Sequence, residues 1–585
     1  MKRKYIYLAI VLIVLIVIYF FSIGLISHKK KQASDLLDKT SQVEHLDILS
    51  NKKTLSDNSK IGERKPRIKK INIPKKNDIE TNLPLEFYVT SFNLNSFKEP
   101  YIELSKKSFS LTNPFFFDKN IINQTPTPRK LFYFNPFREQ NSLFSGNTTI
   151  EKKNVHEDFN QDPTKHKLSE IFVANNKYTK TELLKNRLKI KSGDYINQKK
   201  LQEHLNFINQ NPFRNVNIIL EKHAPNTYDI ELLAYDEFPF RVSIGSDDTG
   251  LELIDRNRAY TGFNWNNAFL LDSVLSYQYL TSFDPEKIRA HTAHWTFYLP
   301  WQNMLSVFGD FSKFEVDNFS PSIIKNERFN SQASLRYDIC LPIIASITHD
   351  LIFGFDFKRA DTNLPYASDL SFAPPTINLT QFMFSYSLRF DNKIYKTKFV
   401  LEMFSSFGPM LQDEENEKYN EYRRFAKNRY FYAKGSFSNL FTLPKDFLFS
   451  LMIRGQVANE NLLPSETLSV GGYNSVRGYF ERQLNGDMGL IINTEIRTPS
   501  LKFFPNKKIN DSLQFLAFLD YGLASIFKPL LFEEKNRSLI GYGPAIRYEI
   551  NPYFIARLDW GFKGIQDELY GGGKSQIHFS VNLSY

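Results

Sequence analysis

The sequence predicts a mostly β membrane protein, a 16-stranded antiparallel transmembrane β-barrel preceded by a small α+β domain. Three features carry that expectation. From Pro239 to Tyr585, apolar and polar residues alternate with a period of two. Short and long connections alternate between these runs. The chain has 54 Phe, 30 Tyr and 15% aromatic residues, yet 23% of it is charged and its mean hydropathy is negative. A barrel with lipid outside and water inside gives that average, because each strand contributes one apolar and one polar row.

The composition narrows the function. With 585 residues the chain can hold a large barrel plus attachments. A net charge of +11 is modest at this length and reads as solvated lysines. No zinc-finger, RNA-recognition or basic-zipper pattern occurs, so nucleic acid is not an expected partner. The single cysteine, Cys340, excludes an intramolecular disulfide and a CxxC site. The 10 histidines lack HExxH and HxxxH spacing, and no Walker loop, GxSxG elbow or kinase signature is present. Gly571-Gly572-Gly573 before Lys574 is too short for a phosphate loop and reads as a hairpin turn. Neither enzymatic activity nor a cofactor or metal is expected.

Taken in order, the chain opens with Lys2-Arg3-Lys4, an apolar run from Tyr5 to Ser27, and Lys29-Lys30-Lys31. Residues 1–27 read as an export signal, with an uncleaved inner-membrane anchor as the alternative, since the run is long enough to span a bilayer. Either reading exports the rest. Residues 28–167 read as a low-order linker rich in Lys, Asn, Ser, Asp and Pro, with room for a degenerate small domain. Within it, Leu36, Leu37, Val43, Leu46 and Leu49 share a helical face between Lys31 and Ser50, and Leu85–Phe92 suits a strand.

Residues 168–238 change character. A strand over Leu168–Ala174 precedes two amphipathic helices, Tyr178–Ile190 and Asn197–Ile208, and two alternating strands, Arg214–Glu221 and Tyr228–Tyr235. This β-α-α-β-β order, with the wording "IKSGDYINQKKLQEHLNFINQNPFRNVNIILE", resembles a POTRA domain, and most of all the membrane-proximal one of two-partner secretion transporters. The resemblance implies a periplasmic location and a sheet edge to which an extended chain can add a strand.

In the barrel region, Phe382, Phe384, Tyr386, Leu388 and Phe390 face one way and Gln381, Met383, Ser385, Ser387 and Arg389 the other. Near the C-terminus, Phe554, Ala556, Leu558, Trp560 and Phe562 oppose Ile555, Arg557, Asp559 and Gly561. Polar rows that carry both signs of charge (Arg547, Glu549, Arg557, Asp559) suit a water-filled lumen. Strands are expected to start near residues 239, 257, 270, 286, 302, 326, 347, 380, 396, 428, 446, 488, 513, 539, 552 and 576. With the small domain in the periplasm, loops after odd strands face outward.

The sixth of those outer loops holds "SVGGYNSVRGY", followed by "NGDMG". With "FLDYG" at 518–522, it resembles the loop-six motif of the BamA-type superfamily, and "LPSETLSVGGYNSVRGY" is closest to its FhaC/ShlB/HecB branch of haemolysin-secretion transporters. The likeness runs from about residue 168 to the C-terminus. It implies that the loop folds back into the barrel and that its arginine, Arg477, pairs with a wall aspartate, Asp520. Parity agrees: if Leu513, Phe515, Ala517, Leu519 and Tyr521 face lipid, Phe518 and Asp520 point inward. The remaining candidate residues are Gly471, Gly472, Val476, Gly478, Tyr479 and Asp487 in the loop and Gly522 on the wall. Arg454, Glu495 and Arg497 are expected to line the wall. Terminal Tyr585 resembles an outer-membrane assembly signal.

The resemblance implies an outer-membrane pore for an unfolded, secreted partner protein, surrounded by lipid, dependent on the barrel assembly machinery and monomeric. The alternative is a BamA- or TamA-like assembly factor; a passive porin comes third. The family ordinarily has two POTRA domains and a plug helix. Here one such domain is legible, and residues 31–50 read as a linker helix before they read as a plug.

Overall fold

A computed structural model describes residues 150–153, 166–251, 254–316, 326–344, 347–363, 376–392, 394–504, 510–531, 533–565 and 573–585. The expectations for the N-terminal apolar run, for residues 31–50 and for residues 85–92 fall outside them.

The small domain consists of β1 (Ile150–Lys153), β2 (Lys167–Ala174), α1 (Thr181–Leu188), α2 (Gln198–Ile208), β3 (Arg214–Ala224) and β4 (Thr227–Asp236). Its sheet runs β1-β3-β4-β2, with β1 parallel to β3. This first strand comes from the stretch read as linker. The helices form where the apolar period is 3.6, and the Asn197 side chain caps α2 by accepting from the Lys200 N–H at 3.0 Å. Leu184, Leu188, Leu201, Leu205 and Ile208 seal against Val216, Ile218, Leu220, Ile230 and Leu232, all fully buried.

The barrel follows as β5 (Phe240–Asp247), β6 (Arg258–Asn266), β7 (Ser273–Ser282), β8 (Ile288–Tyr298), β9 (Asn303–Val316), β10 (Asn326–Cys340), β11 (Ile347–Asn363), β12 (Ile377–Asp391), β13 (Tyr395–Phe407), β14 (Arg429–Thr442), β15 (Leu448–Ala458), β18 (Met488–Arg497), β19 (Asp511–Ser525), β20 (Asn536–Ile550), β21 (Phe554–Lys563) and β22 (Ser575–Ser584). Between β15 and β18, β16 (Leu468–Val470) and β17 (Leu484–Gly486) form a small hairpin within the loop. A short helix, α3 (Asn416–Tyr422), lies between β13 and β14. All 16 barrel strands are antiparallel to their neighbours and the ring is closed by β22 against β5, as the sequence predicts. Closure satisfies the backbone of every strand without water, which a bilayer requires.

The period of two becomes two surfaces. Phe353, Phe382, Phe515, Leu519, Leu558, Trp560 and Ile577 are exposed on the outside. Gln381, Ser385, Asp520, Asp559 and His578 on the same strands are buried inside. Among the described residues, no helix is long and apolar enough to cross a membrane; the crossing surface is the outer face of the strands.

The small domain docks on the short-turn end. Asp272, in the turn before β7, accepts from Arg214 of β3 at 2.9 Å and from Arg187 of α1 at 2.5 Å. Arg187 also donates to the carbonyls of Tyr298 and Leu299, at the turn after β8. Glu203 of α2 accepts from the Ile343 N–H, in the turn after β10, at 3.3 Å. Phe207 and Phe213 pack on Val274, Tyr298 and Met304. Burial alone would raise the Asp272 carboxyl, but the Arg214 and Arg187 guanidiniums overcome it and hold it below the ordinary carboxylate range.

Removing one partner of such a buried group leaves uncompensated charge, which costs about 3–5 kcal/mol. Asp272→Ala is therefore expected to loosen the small domain, seen as faster hydrogen exchange in α1 and at the turn after β8. The sign of the pH dependence follows from the lowered carboxyl. Its contribution is complete above the unfolded value of about 3.9 and disappears only as pH falls through the lower folded value. Exchange protection at the junction in the wild-type chain should not change between neutral and mildly acidic pH.

Candidate functional site

The stretch 459–487 between β15 and β18 does not extend outward. It turns into the barrel, and the cause can be followed residue by residue. The hairpin of β16 and β17 forms the stalk, and Val470, Val476, Tyr479 and Leu484 pack on the inner wall at Ile491, Ala524 and Leu539. Gly471 and Gly472 have φ of 109° and 102°, so the chain turns at once above the stalk.

The wall is carved to receive it. A Cβ on Gly522 would stand 2.3 Å from Val470 Cγ1 and 2.7 Å from Val476 Cγ2. One on Gly561 would stand 2.3 Å from the Gly478 nitrogen. Gly522 thus makes room for two valine side chains of the loop and Gly561 for its backbone, so the loop rather than the wall requires glycine there.

Arg477 then reaches its seat. Its Nε and Nη2 donate to Asp520 Oδ2 and Oδ1 at 2.7 and 2.8 Å, a bidentate fork, and its backbone N–H donates to Oδ2 at 3.1 Å. Nη1 donates to Glu495 at 2.6 Å and lies 3.6 Å from Asp559. The guanidinium stacks 3.7 Å from the centre of the Phe518 ring. Arg477 is 2% exposed and Asp520 fully buried. Charge-assisted, bidentate and desolvated, this pairing is of the strong kind. Around it Arg497 pairs with Glu495, and Arg547 and Arg557 pair with Asp559. The cluster thus sets four guanidiniums, including Arg477, against three carboxylates.

The remaining candidate residues separate. Tyr479 is buried; its hydroxyl lies 2.8 Å from the Ile540 carbonyl and accepts from the Ile565 N–H at 3.1 Å. Asp487 stands apart from Arg477. It binds Arg423 of the loop between β13 and β14, and accepts from the Leu462 and Phe527 N–H groups at 2.8 and 2.9 Å. It therefore ties three loops together near the root of the sixth. Tyr585 exposes its ring, stacks on Tyr553, and pairs its backbone with Val242.

Glu495, expected to line the wall, is a direct partner of Arg477. Asp559 faces inward by parity, and the register of β18 to β21 decides which inward carboxylates Arg477 meets. Two further anchors were not anticipated. Glu466, fully buried, binds Lys358 and Tyr432 and accepts from Gln381 at 3.0 Å. His578 accepts the Gly478 N–H at Nε2 (3.2 Å), so its Nδ1 carries the proton toward Asp248 at 2.9 Å. Arg454 binds the Asn474 carbonyl.

A family model described as "Haemolysin secretion/activation protein ShlB/FhaC/HecB" matches residues 227–542, over half of the chain. A POTRA model described as "Surface antigen variable number repeat" matches residues 166–232. The chain is similar to the heme/hemopexin transporter protein HuxB of Haemophilus influenzae, with 31% identity over 131 residues, 22% of either protein. The matched segment therefore spans about a fifth of that relative. Among solved structures, CdiB from Escherichia coli superposes with a TM-score of 0.62 at 16% identity, covering 72% of this chain and 77% of that one. CdiB from Acinetobacter baumannii gives 0.57 at 19% identity, covering 72% and 74%. At these identities the likeness is one of fold.

Arg477→Ala leaves Asp520 buried without a cation, which costs about 3–5 kcal/mol by comparison with other buried pairs. The folded, heat-modifiable band on denaturing gels should convert at a lower temperature. Arg477→Lys should fall in between, since an ammonium cannot form the fork. Exchanging the two charges, as Arg477→Asp with Asp520→Arg, should not restore the wild-type transition, because the new aspartate faces Glu495 and Asp559.

Proposed function

Because the chain belongs to the haemolysin secretion/activation family ShlB/FhaC/HecB, we propose that it is an outer-membrane pore that passes an unfolded partner exoprotein to the cell surface. The observation that carries this reading is the loop latched inside the lumen by Arg477 and Asp520, in a barrel whose short-turn face carries a POTRA-like domain.

The chemistry suits an extended chain. Its backbone groups need partners while it crosses, and the inner wall offers Gln, Ser, Asn, Arg and carboxylate side chains together with water. Capture occurs at the periplasmic domain, where an extended segment adds a strand to the edge of the sheet. One edge, β3, is taken by β1; β2 forms the other. Passage requires the loop to leave its seat, so the ionic cluster is the latch of the pore. Folding outside gives the transfer its direction, and no nucleotide or cofactor enters. The protein acts as a monomer, is inserted by the barrel assembly machinery with Tyr585 as part of the signal, and keeps its N-terminal part in the periplasm.

Co-expression with a candidate secreted partner protein tests this. The wild-type chain should release that protein into the medium. Asp520→Asn, which keeps size but removes the charge, should change the amount released at an unchanged level of barrel in the membrane. If the partner is exported equally well without this chain while other outer-membrane barrels decline, the protein is an assembly factor and the secretion reading is wrong.

A further inference from the structure

The one cysteine of the chain does not stand alone. Cys340 and Asp350 are directly opposite each other on β10 and β11, and Asp338, two residues back on β10, shares their face. All three point inward at the short-turn end, and one donor atom from each lies within 4.8 Å of the other two. Cys340 also packs on the apolar cluster that joins the small domain to the barrel.

Two further facts point to something between these donors. Asp338 is 7% exposed, and its Oδ1 makes no hydrogen bond. Among the described residues, no basic side chain forms an ion pair with it. Gln210, just past α2, sits over the cluster with its Nε2 3.5 Å from Cys340 Sγ, while its Oε1, also buried, has no partner. Turning this amide about its last bond exchanges the two atoms and directs the carbonyl oxygen at the group. A buried carboxylate without a partner is costly, and here one faces a second carboxylate and a thiol.

We propose that Asp338, Cys340, Asp350 and the Gln210 carbonyl form a binding site for a borderline-soft divalent cation of the zinc class. One thiolate and two carboxylates are ligands this class takes, with the Gln210 carbonyl as the fourth donor, whereas calcium and magnesium do not take thiolate. Bond lengths of about 2.0–2.3 Å place tetrahedral donors roughly 3.3–3.7 Å apart, so the donors need to close by about 1 Å, within reach of side-chain rotation. Binding releases the thiol proton and turns the opposed carboxylates into neighbours that share a charge. It also links Gln210 of the small domain to two barrel strands, adding to the ties made by Asp272 and Glu203. This site is independent of the secretion reading, because it uses neither the loop nor a partner.

The test uses the full-length, untagged chain in detergent. Cobalt(II) in the place of zinc should give a thiolate-to-metal charge-transfer band, with about one equivalent bound per folded chain. Zinc should displace cobalt, whereas excess calcium should not. Zinc should also slow maleimide modification of Cys340. Cys340→Ser and Asp338→Asn, both confirmed as folded by heat-modifiable migration, should bind zinc at least about tenfold more weakly, since even the loss of an outer-shell partner costs that much. No metal uptake by the wild-type chain, a cobalt spectrum without the thiolate band, or undiminished zinc binding by Cys340→Ser would each overturn the proposal. The wild-type spectrum decides the question even if a variant fails to fold.

Discussion

The interior of this barrel depends on one buried carboxylate. Asp520 accepts from Asn493 at 2.8 Å, but among the described residues its only cation is Arg477. Glu495 and Asp559 are served by Arg497, Arg547 and Arg557 of the wall itself. The wall is thus complete except at Asp520, and the missing cation arrives on the loop. Desolvating that carboxylate without its partner is costly, so the position of the loop and the stability of the wall are one quantity. The other features of the site serve this pairing. Gly522 and Gly561 are bare where the loop presses in, and Phe518 offers its face to the guanidinium.

This arrangement sets a conflict between holding and passing. Under the proposed function, the loop occupies the space that a chain in transit needs, and it is held there by a buried, bidentate ion pair. A group leaving such a seat regains hydration only if water enters as it goes, so the cost of unlatching depends on how wet the lumen is. The polar rows facing it offer that water hydrogen-bond partners. At the root the constraint is different: Asp487 joins three loops through Arg423, Leu462 and Phe527, and Glu466 anchors the stretch before β16. These contacts fix the base of the loop and leave the Arg477 tip as the part that can be exchanged.

How much of this was legible in the sequence follows from what each feature depends on. Strand number depends on a period of two and on turn residues, both local. The expected starts accordingly differ from the observed ones by no more than three residues, the largest offsets being at 270, 380 and 539. That Asp520 faces inward is also a parity statement. Which inward carboxylates meet Arg477 depends on the stagger between β18, β19 and β21, and no single-strand pattern encodes stagger. Asp487 was placed within its own loop because its partner, Arg423, lies 64 residues earlier in a different one. The strand β1, four residues reading IEKK, is too short and too polar to announce itself; it exists because β3 has a free edge. The docking of Arg187 and Arg214 on Asp272 joins three separate elements and carries no motif.

The same geometry ties the latch to the closure of the ring. Antiparallel pairing between β22 and β5 covers only Ser580–Ser584 against Ser243–Asp247, less than any other neighbours in the barrel share, the interrupted pair β20 and β21 included. Side chains extend this seam. Asp248, just past β5, accepts from the Phe579 N–H of β22 at 2.9 Å, and Arg256 donates to both Asp248 and the Ile577 carbonyl. The loop tip joins that network, with Gly478 on His578 and the Tyr473 hydroxyl 2.6 Å from Ser580. His578 can accept from the loop at Nε2 only while Nδ1 donates to Asp248, so a single imidazole orients both contacts. Withdrawing the loop therefore removes a brace from the strand that closes the ring. The shortest seam lies under the loop tip, and the loop that fills the pore also helps to keep its wall shut.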